Sequence, residues 1–501
     1  MSKELELRRA AGEDANRKEA VEKRRKKGYR TARENLAHLI DDEFFVEYGE
    51  LVTAAQRGRR SAEDLITNTQ SDGVITGLAR INASAVGEHP ARTALIVNDY
   101  MVLAGTQGYY HHKKIDRLLE LVDRERLPVL MYTEGGGGRP GDTDVVTQVS
   151  GLDVPTFARW SRLEGRVPRI AVANGYCFAG NALLFGCADI RIATETSWIG
   201  MAGPAMIEAG GLGRYNAEQI GPAKMHAAQG TLDVLATDEA NATTIAKRVL
   251  SIFQGLTDRY EAQDQMPLDS AMPDNRRMTY KVRPIIKRLV DTDSFIEFGA
   301  QHATAMITAF CRIDGVPVGL LANNNQVLAG AIDAPAAKKA ARFLRLCNTH
   351  QLPVLSLIDT PGFMVGPDSE TQSATAYMSD MFTAGATLSV PLIAIVLRKA
   401  YGLGAMAMAG GSTEAPLCTA AWPTGEFGAM GLEGAVQLGF RKELAAAADE
   451  AQRTALFDQL VSDLYQKGSA IETASRREID SVIKPSETRA WLETLLPNDR
   501  Y

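Results

Sequence analysis

The chain's 501 residues allow two to four domains at roughly 150 residues each. Its composition, 45% hydrophobic and 23% charged with a net charge of −6, is that of a soluble globular protein. It argues against nucleic acid as the main partner, because phosphate neutralisation needs a basic face, and no apolar run approaches the ~20 residues of a membrane span.

The opening MSKELELRRAAGEDANRKEAVEKRRKKGYR is charged from the start and lacks the apolar core of a secretory signal. It predicts a basic helical arm, either a solvated face or a phosphate-attracting arm beside a ligand mouth. Beyond it, TALIVNDY (93–100), LPVLMYT (127–133) and PRIAVAN (168–174) are short apolar runs that predict buried strands. HHKKIDRLLELVDRERL (111–127) lies between two of them with apolar residues at helical spacing. Glycine-rich turns follow the strands, at EGGGG (134–138) and GYCFAGNALLFG (175–186). The five cysteines, 177, 187, 311, 347 and 418, are scattered without a CxxC, which excludes a zinc ribbon and fits a reduced, cytoplasmic protein. No metal site is expected, and the Asn241-Ala-Thr243 sequon reads as a chance match.

The second half repeats the first. LIDDEFFVEYG (39–49) matches LVDTDSFIEFG (289–299), and RLPVLMYTEGGGG (126–138) matches QLPVLSLIDTPGF (351–363). VPRIAVANGYCFAGNA (167–182) matches VPLIAIVLRKAYGLGAMA (390–407), with Gly180-Asn181 on Gly404-Ala405. TSWIGMAGP (196–204) matches TGEFGAMGL (424–432). Four segments in one order predict two copies of one α/β domain, 1–270 and 271–501, with the boundary in the polar stretch at about 264–281.

A strand, glycine turn and helix together present backbone N–H groups at a helix start, where free donors and the helix dipole favour an oxygen gaining negative charge. GYCFAGNA and AYGLGAMA are therefore candidate oxyanion holes, one per domain; close helix–strand packing is the other use of such glycines. Gly402-Leu-Gly-Ala-Met-Ala407 also fits a dinucleotide fingerprint, but its mate in the first half does not, and no P-loop motif occurs. Cys177, with few histidines in the chain, reads as a small buried hydrophobe rather than a nucleophile. Glu134 and Asp359 read as turn caps.

DTPGFMVGPDSE (359–370) followed by LRKAYGLGAMAMAGG (397–411) resembles the C-terminal half of carboxyltransferase β subunits of biotin-dependent acyl-CoA carboxylases, of the acetyl-, propionyl- and methylcrotonyl-CoA kinds. GYCFAGNALLFG resembles the matching turn of their N-terminal half, and RKKGYRTARENLAHLIDDEFFVEYGE (25–50) their opening. The resemblance implies two tandem crotonase-like (ClpP/crotonase-type) domains packed head-to-tail between protomers of a homo-hexamer. Acyl-CoA would lie on the N-terminal domain, near Gly136, Gly137, Gly138, Arg139, Phe178 and Ala179. Carboxybiotin, carried by a separate biotin carboxylase/carrier subunit, would lie near Gly362, Phe363, Tyr401, Gly402, Leu403 and Ala407. The implied oxyanion pairs are Gly180-Asn181 for the thioester oxygen and Gly404-Ala405 for the biotin ureido oxygen. Two enolates then do the acid–base work, and the protein needs oxyanion holes, alignment and water exclusion more than side-chain acids.

Three departures stand out: Asn181 replaces a usual glycine, Leu403 is an insertion, and Ala407 replaces an acidic residue of the propionyl-type pattern. A small residue at 407 leaves room for a larger acyl chain. The leading expectation is carboxyl transfer from carboxybiotin to the α or vinylogous carbon of an acyl-CoA. The alternatives are the α subunit of a biotin-dependent acyl-CoA decarboxylase and a non-catalytic crotonase-like scaffold.

Overall fold

Two sheets dominate the computed structural model, which describes residues 2–41, 45–145 and 151–497; positions 42–44 of the LIDDEFFVEYG segment lie outside the described residues. The chain forms two compact units, Met1–Gly255 and Leu256–Tyr501.

In the first unit the strands are β1 (Phe45–Tyr48), β2 (Val74–Arg80), β3 (Arg92–Asn98), β4 (Val129–Tyr132), β5 (Arg169–Ala173), β6 (Tyr176–Phe178), β7 (Ile190–Thr194), β8 (Trp198–Gly200) and β9 (Val234–Ala236). The main sheet runs β1-β2-β3-β4-β5-β7-β9, antiparallel through β3 and parallel beyond, while β6 and β8 form a small parallel pair off the sheet. β4 and β5 are buried at every position, as parallel strands covered on both faces must be. The helix Tyr109–Glu125 turns Ile115, Leu118, Leu119 and Val122 into this core.

In the second unit the strands are β10 (Ile296–Phe298), β11 (Met306–Ile313), β12 (Val316–Asn323), β13 (Val354–Thr360), β14 (Leu392–Tyr401), β15 (Cys418–Ala421), β16 (Glu426–Gly428) and β17 (Ser481–Val482). Their order is β10-β11-β12-β13-β14-β15-β17, with β16 on the far end of β14. Again the first three are antiparallel and the rest parallel. Even the register repeats: Leu95 pairs Leu130 in the first unit, and Leu320 pairs Leu355 in the second.

Two expectations shift. The polar stretch at 264–281 is no free linker: Leu268 (2% exposed) and Tyr280 (8%) sit in the second unit's core, so the division falls earlier, at 255/256. The charged N-terminus is also more than a solvated arm. Its helix Lys18–Lys26 sends Arg24 into the first unit, 2.5 Å from Glu134, and Arg17 lies 2.5 Å from Asp99.

Candidate active site

β5 ends at Ala173, β6 follows almost at once, and the chain then turns into the helix Gly180–Gly186. Ala179 makes that turn at φ 51°, ψ −120°, a strained setting for a residue with a Cβ, and its N–H is held by the Gly200 carbonyl at 2.9 Å. A strand–helix elbow of this kind can expose a nucleophile, but here it carries only a methyl group. What it opens is backbone: Gly180 and Asn181 are the first two helix residues, within the set of N–H groups that have no intrahelical acceptor.

The loop after β4 closes over this elbow. Phe178 N–H donates to the Gly135 carbonyl at 2.9 Å, and Gly135 N–H donates to the Tyr176 carbonyl at 2.7 Å. Gly137, at φ 88°, passes so close that a Cβ there would lie 2.7 Å from the Ala179 methyl. Asn181 is fully buried, and its Oδ1 accepts from Gly137 N–H at 3.0 Å. Its amide therefore braces the loop, and its Nδ2 has no hydrogen-bond partner among the described residues.

The same assembly recurs at the end of β14, where the helix is Gly402–Met408. Gly404 is its third residue and Ala405 its fourth, so this helix starts earlier relative to the glycine than its mate does. Leu403 takes up the extra position and is exposed. A Cβ on Gly404 would lie 2.6 Å from Gly362 C and 2.8 Å from Phe363 N, which is the tightest backbone approach in this turn. Gly362 itself has φ 118°, and Gly402 has φ 57°.

Of the residues predicted at these turns, Gly137 meets Phe178, Ala179 and Asn181 in the first unit, and Gly362 and Phe363 meet Gly404 in the second, while Gly136 faces Thr106, Gly402 faces Ala429, and a Cβ on Gly138 would meet nothing. Three of the predicted side chains are taken up within the fold. Arg139 is spent on Asp72 (2.6 Å) and the Thr106 carbonyl (3.0 Å). Burial pushes the Asp72 carboxyl up to about 6, against the pull of Arg139. Tyr401 is buried with its hydroxyl donating to Glu426 at 2.8 Å. Ala407 is 1% exposed, so its small size opens no space for an acyl chain. Cys177 is buried against Thr133, and burial pushes its thiol up to about 12, which leaves it inert as a nucleophile.

Glu134 and Asp359 do more than cap turns. Arg24 grips Glu134 through both terminal guanidinium nitrogens, at 2.5 and 3.2 Å. Asp359 accepts from Arg398 (3.1 Å), Asn325 (3.2 Å) and the Lys399 N–H (3.1 Å). Each carboxylate anchors the loop that covers the glycine helix.

One element escaped the sequence reading although its signal was there. Val-Leu-Ala-Gly occurs at 102–105 and again at 327–330. In both copies Leu and Ala take positive φ, and the glycine lies against the carbonyl of Glu134 or of Asp359. Two residues on, Gln107 N–H donates to the Gly137 carbonyl (2.8 Å) and Arg139 N–H to the Gln107 carbonyl (2.9 Å). The second unit repeats both bonds, from Ile332 to Gly362 (3.1 Å) and from Met364 to Ile332 (2.8 Å). Among the described residues no cluster of His, Cys, Asp and Glu could hold a metal ion, and no helix is long and apolar enough to cross a membrane.

The carboxyl transferase domain model matches residues 23–497. The propionyl-CoA carboxylase β chain of Saccharopolyspora erythraea is 31% identical, over 96% of this chain and 90% of that protein. A solved structure of a single-chain, multi-domain long-chain acyl-CoA carboxylase is 51% identical, with a TM-score of 0.93 over 99% of this chain. This chain spans 48% of that larger one. The crystal structure of a transcarboxylase 12S hexamer with methylmalonyl-coenzyme A bound is 28% identical, with a TM-score of 0.83 over 100% of this chain and 96% of that one.

Proposed function

The chain belongs to the carboxyl transferase domain family, and on that footing we propose that its two glycine turns are the two oxyanion holes of a biotin-dependent acyl-CoA carboxylase. Gly180 and Asn181 serve the thioester oxygen of acyl-CoA, and Gly404 and Ala405 the ureido oxygen of biotin. The observation that carries this reading is the matched pair of elbows, each opening a helix N-terminus under a loop that only glycine allows so close. The repeated topology, register and turn bonds support an internal duplication of one crotonase-like domain.

Carboxybiotin, delivered by a separate carrier subunit, supplies the carboxyl group. At the second turn Gly404, third in its helix, offers an N–H without an intrahelical acceptor to the ureido oxygen, and the exposed Leu403 next to it offers apolar surface. On the first turn, Gly180 and Asn181 N–H groups stabilise the thioester oxygen as the α-carbon becomes nucleophilic. Such donors are fixed before reaction, so they cost no reorganisation in the transition state. The loop at 135–138 holds the elbow through Asn181 and keeps water from the oxygen.

The 51% identity to a long-chain acyl-CoA carboxylase favours a long acyl chain as substrate, and the transcarboxylase hexamer favours a hexamer here, with acyl-CoA and biotin on facing domains of neighbouring protomers. The test is fixation of labelled bicarbonate by the chain with its biotin partner, using acetyl-, propionyl- and palmitoyl-CoA. Carboxylation, greatest with palmitoyl-CoA, is expected; no product from any acyl-CoA with a competent partner overturns the reading.

A further inference from the structure

We propose that the Gln107 carboxamide is a further hydrogen-bond donor to the thioester oxygen, joining the Gly180 and Asn181 N–H groups; this rests on the oxyanion reading above. Gln107 is 4% exposed, and its backbone is fixed on both sides by the bonds to Gly137 and Arg139. Its Oε1 lies against Gly180, so close that a Cβ on that glycine would collide with it. Its Nε2 is buried and has no hydrogen-bond partner among the described residues. A buried amide N–H left unpaired in a hydrogen-bonded interior calls for an acceptor from outside the chain. A cavity of about 650 Å³ has Gln107 in its lining beside Gly138 and Arg139, whereas one of about 740 Å³ elsewhere in this unit does not reach them.

The second unit supplies an internal control. Ile332 occupies the same place in the same pair of backbone bonds, 225 positions along, and is fully buried and apolar. The backbone lattice therefore does not require a polar side chain here, and the amide at 107 has a use confined to the first site. The donor's neutrality matters as well. Arg139, the cation next to it in the cavity lining, is held by Asp72, whereas the Gln107 amide is a neutral dipole. Dipoles of this kind favour the enolate over the ground-state thioester, which is the difference that accelerates reaction.

The experiment uses the full chain with its biotin partner and compares wild type, Gln107→Leu and the isosteric Gln107→Glu. Palmitoyl-CoA is the probe, or propionyl-CoA if the wild type prefers it. In both variants kcat is expected to fall about 100-fold while KM stays within about threefold. With the acyl-CoA carbonyl labelled with carbon-13, the infrared carbonyl band of the bound substrate should shift down less in the variants than in wild type. A packing role alone would leave that band in place. Wild-type kcat and an unchanged band in Gln107→Glu overturn the proposal, and this variant also decides the matter if Gln107→Leu fails to fold. A wild-type enzyme that carboxylates nothing overturns the oxyanion reading itself, whereas an active wild type with an unimpaired Gln107→Glu overturns only the part given to Gln107.

Discussion

A methyl group added at Gly404 would meet backbone, at 2.6 Å from Gly362 C, whereas one added at Gly180 would meet the end of the Gln107 side chain and the Phe157 ring edge at 3.1 Å. Backbone cannot swing aside and a glutamine can. Gly404→Ala should therefore lower stability by about 1–3 kcal/mol, the usual cost of overpacking, and Gly180→Ala by less. The catalytic consequences should run differently. Gly180→Ala displaces the Gln107 amide and should reduce carboxylation while the protein stays folded. Thermal melts alongside bicarbonate fixation separate the two effects; equal losses of melting temperature would refute the argument. Ala407→Asp belongs here too: a carboxylate at a site 1% exposed should destabilise the helix Gly402–Met408 before it alters the range of acyl-CoAs accepted.

Each unit also holds a lysine at a matching place on its long helix, buried at Lys114 and half-buried at Lys339. Lys114 donates to the Ser71 and Val74 carbonyls, and Lys339 to the Gly299, His302 and Met306 carbonyls. Their stems cross Gly49 and Gly299, where a Cβ would come within 3.0 and 3.1 Å. Beside them stand matched ion pairs, Arg33–Glu47 at 2.8 Å and Arg283–Glu297 at 2.6 Å. Lys339→Met strands three carbonyls and should cost about 2 kcal/mol or more. Burial lowers both ammonium groups to about 8 from an ordinary 10.5. Between those values the unfolded chain holds protons that the fold lacks, so these lysines make stability rise with pH across that window. Denaturant titrations from pH 8 to 10 should show a shallower rise in Lys114→Met than in wild type. The Lys-Lys pairs at 113–114 and 338–339 were visible in the sequence, as was the repeated Val-Leu-Ala-Gly, because each is a contiguous run that recurs 225 positions on. The grip of Arg24 on Glu134 was not, since it joins residues 110 positions apart and only the fold brings them together. Nor could spacing show that Ala179 takes a positive φ, that the Asn181 amide turns to Gly137, or that Leu268 belongs to the second core. Those depend on packing across elements, which a linear pattern does not record.

At the scale of the whole molecule, two units of the same strand order can divide the proposed two-substrate reaction without either carrying it alone. Both units keep a strand-to-helix turn under a covering loop but differ around it: Gln107 against Ile332, buried Asn181 against Ala405, and a positive-φ Ala179 against an exposed Leu403. If acyl-CoA on one protomer faces biotin on its neighbour in a hexamer, a defect in each turn can be complemented in trans. Gly180→Val and Gly404→Val should each be inactive alone, because the added side chains fill the approach to the helix starts. Unfolded and refolded together, the two inactive chains should recover about a quarter of wild-type activity, since in random assembly that share of facing turns is intact on both sides. Sedimentation should give particles near six times the 54.2 kDa chain mass for the wild type and for the mixture alike. Mixed hexamers without activity would mean that both turns of a working site come from one protomer.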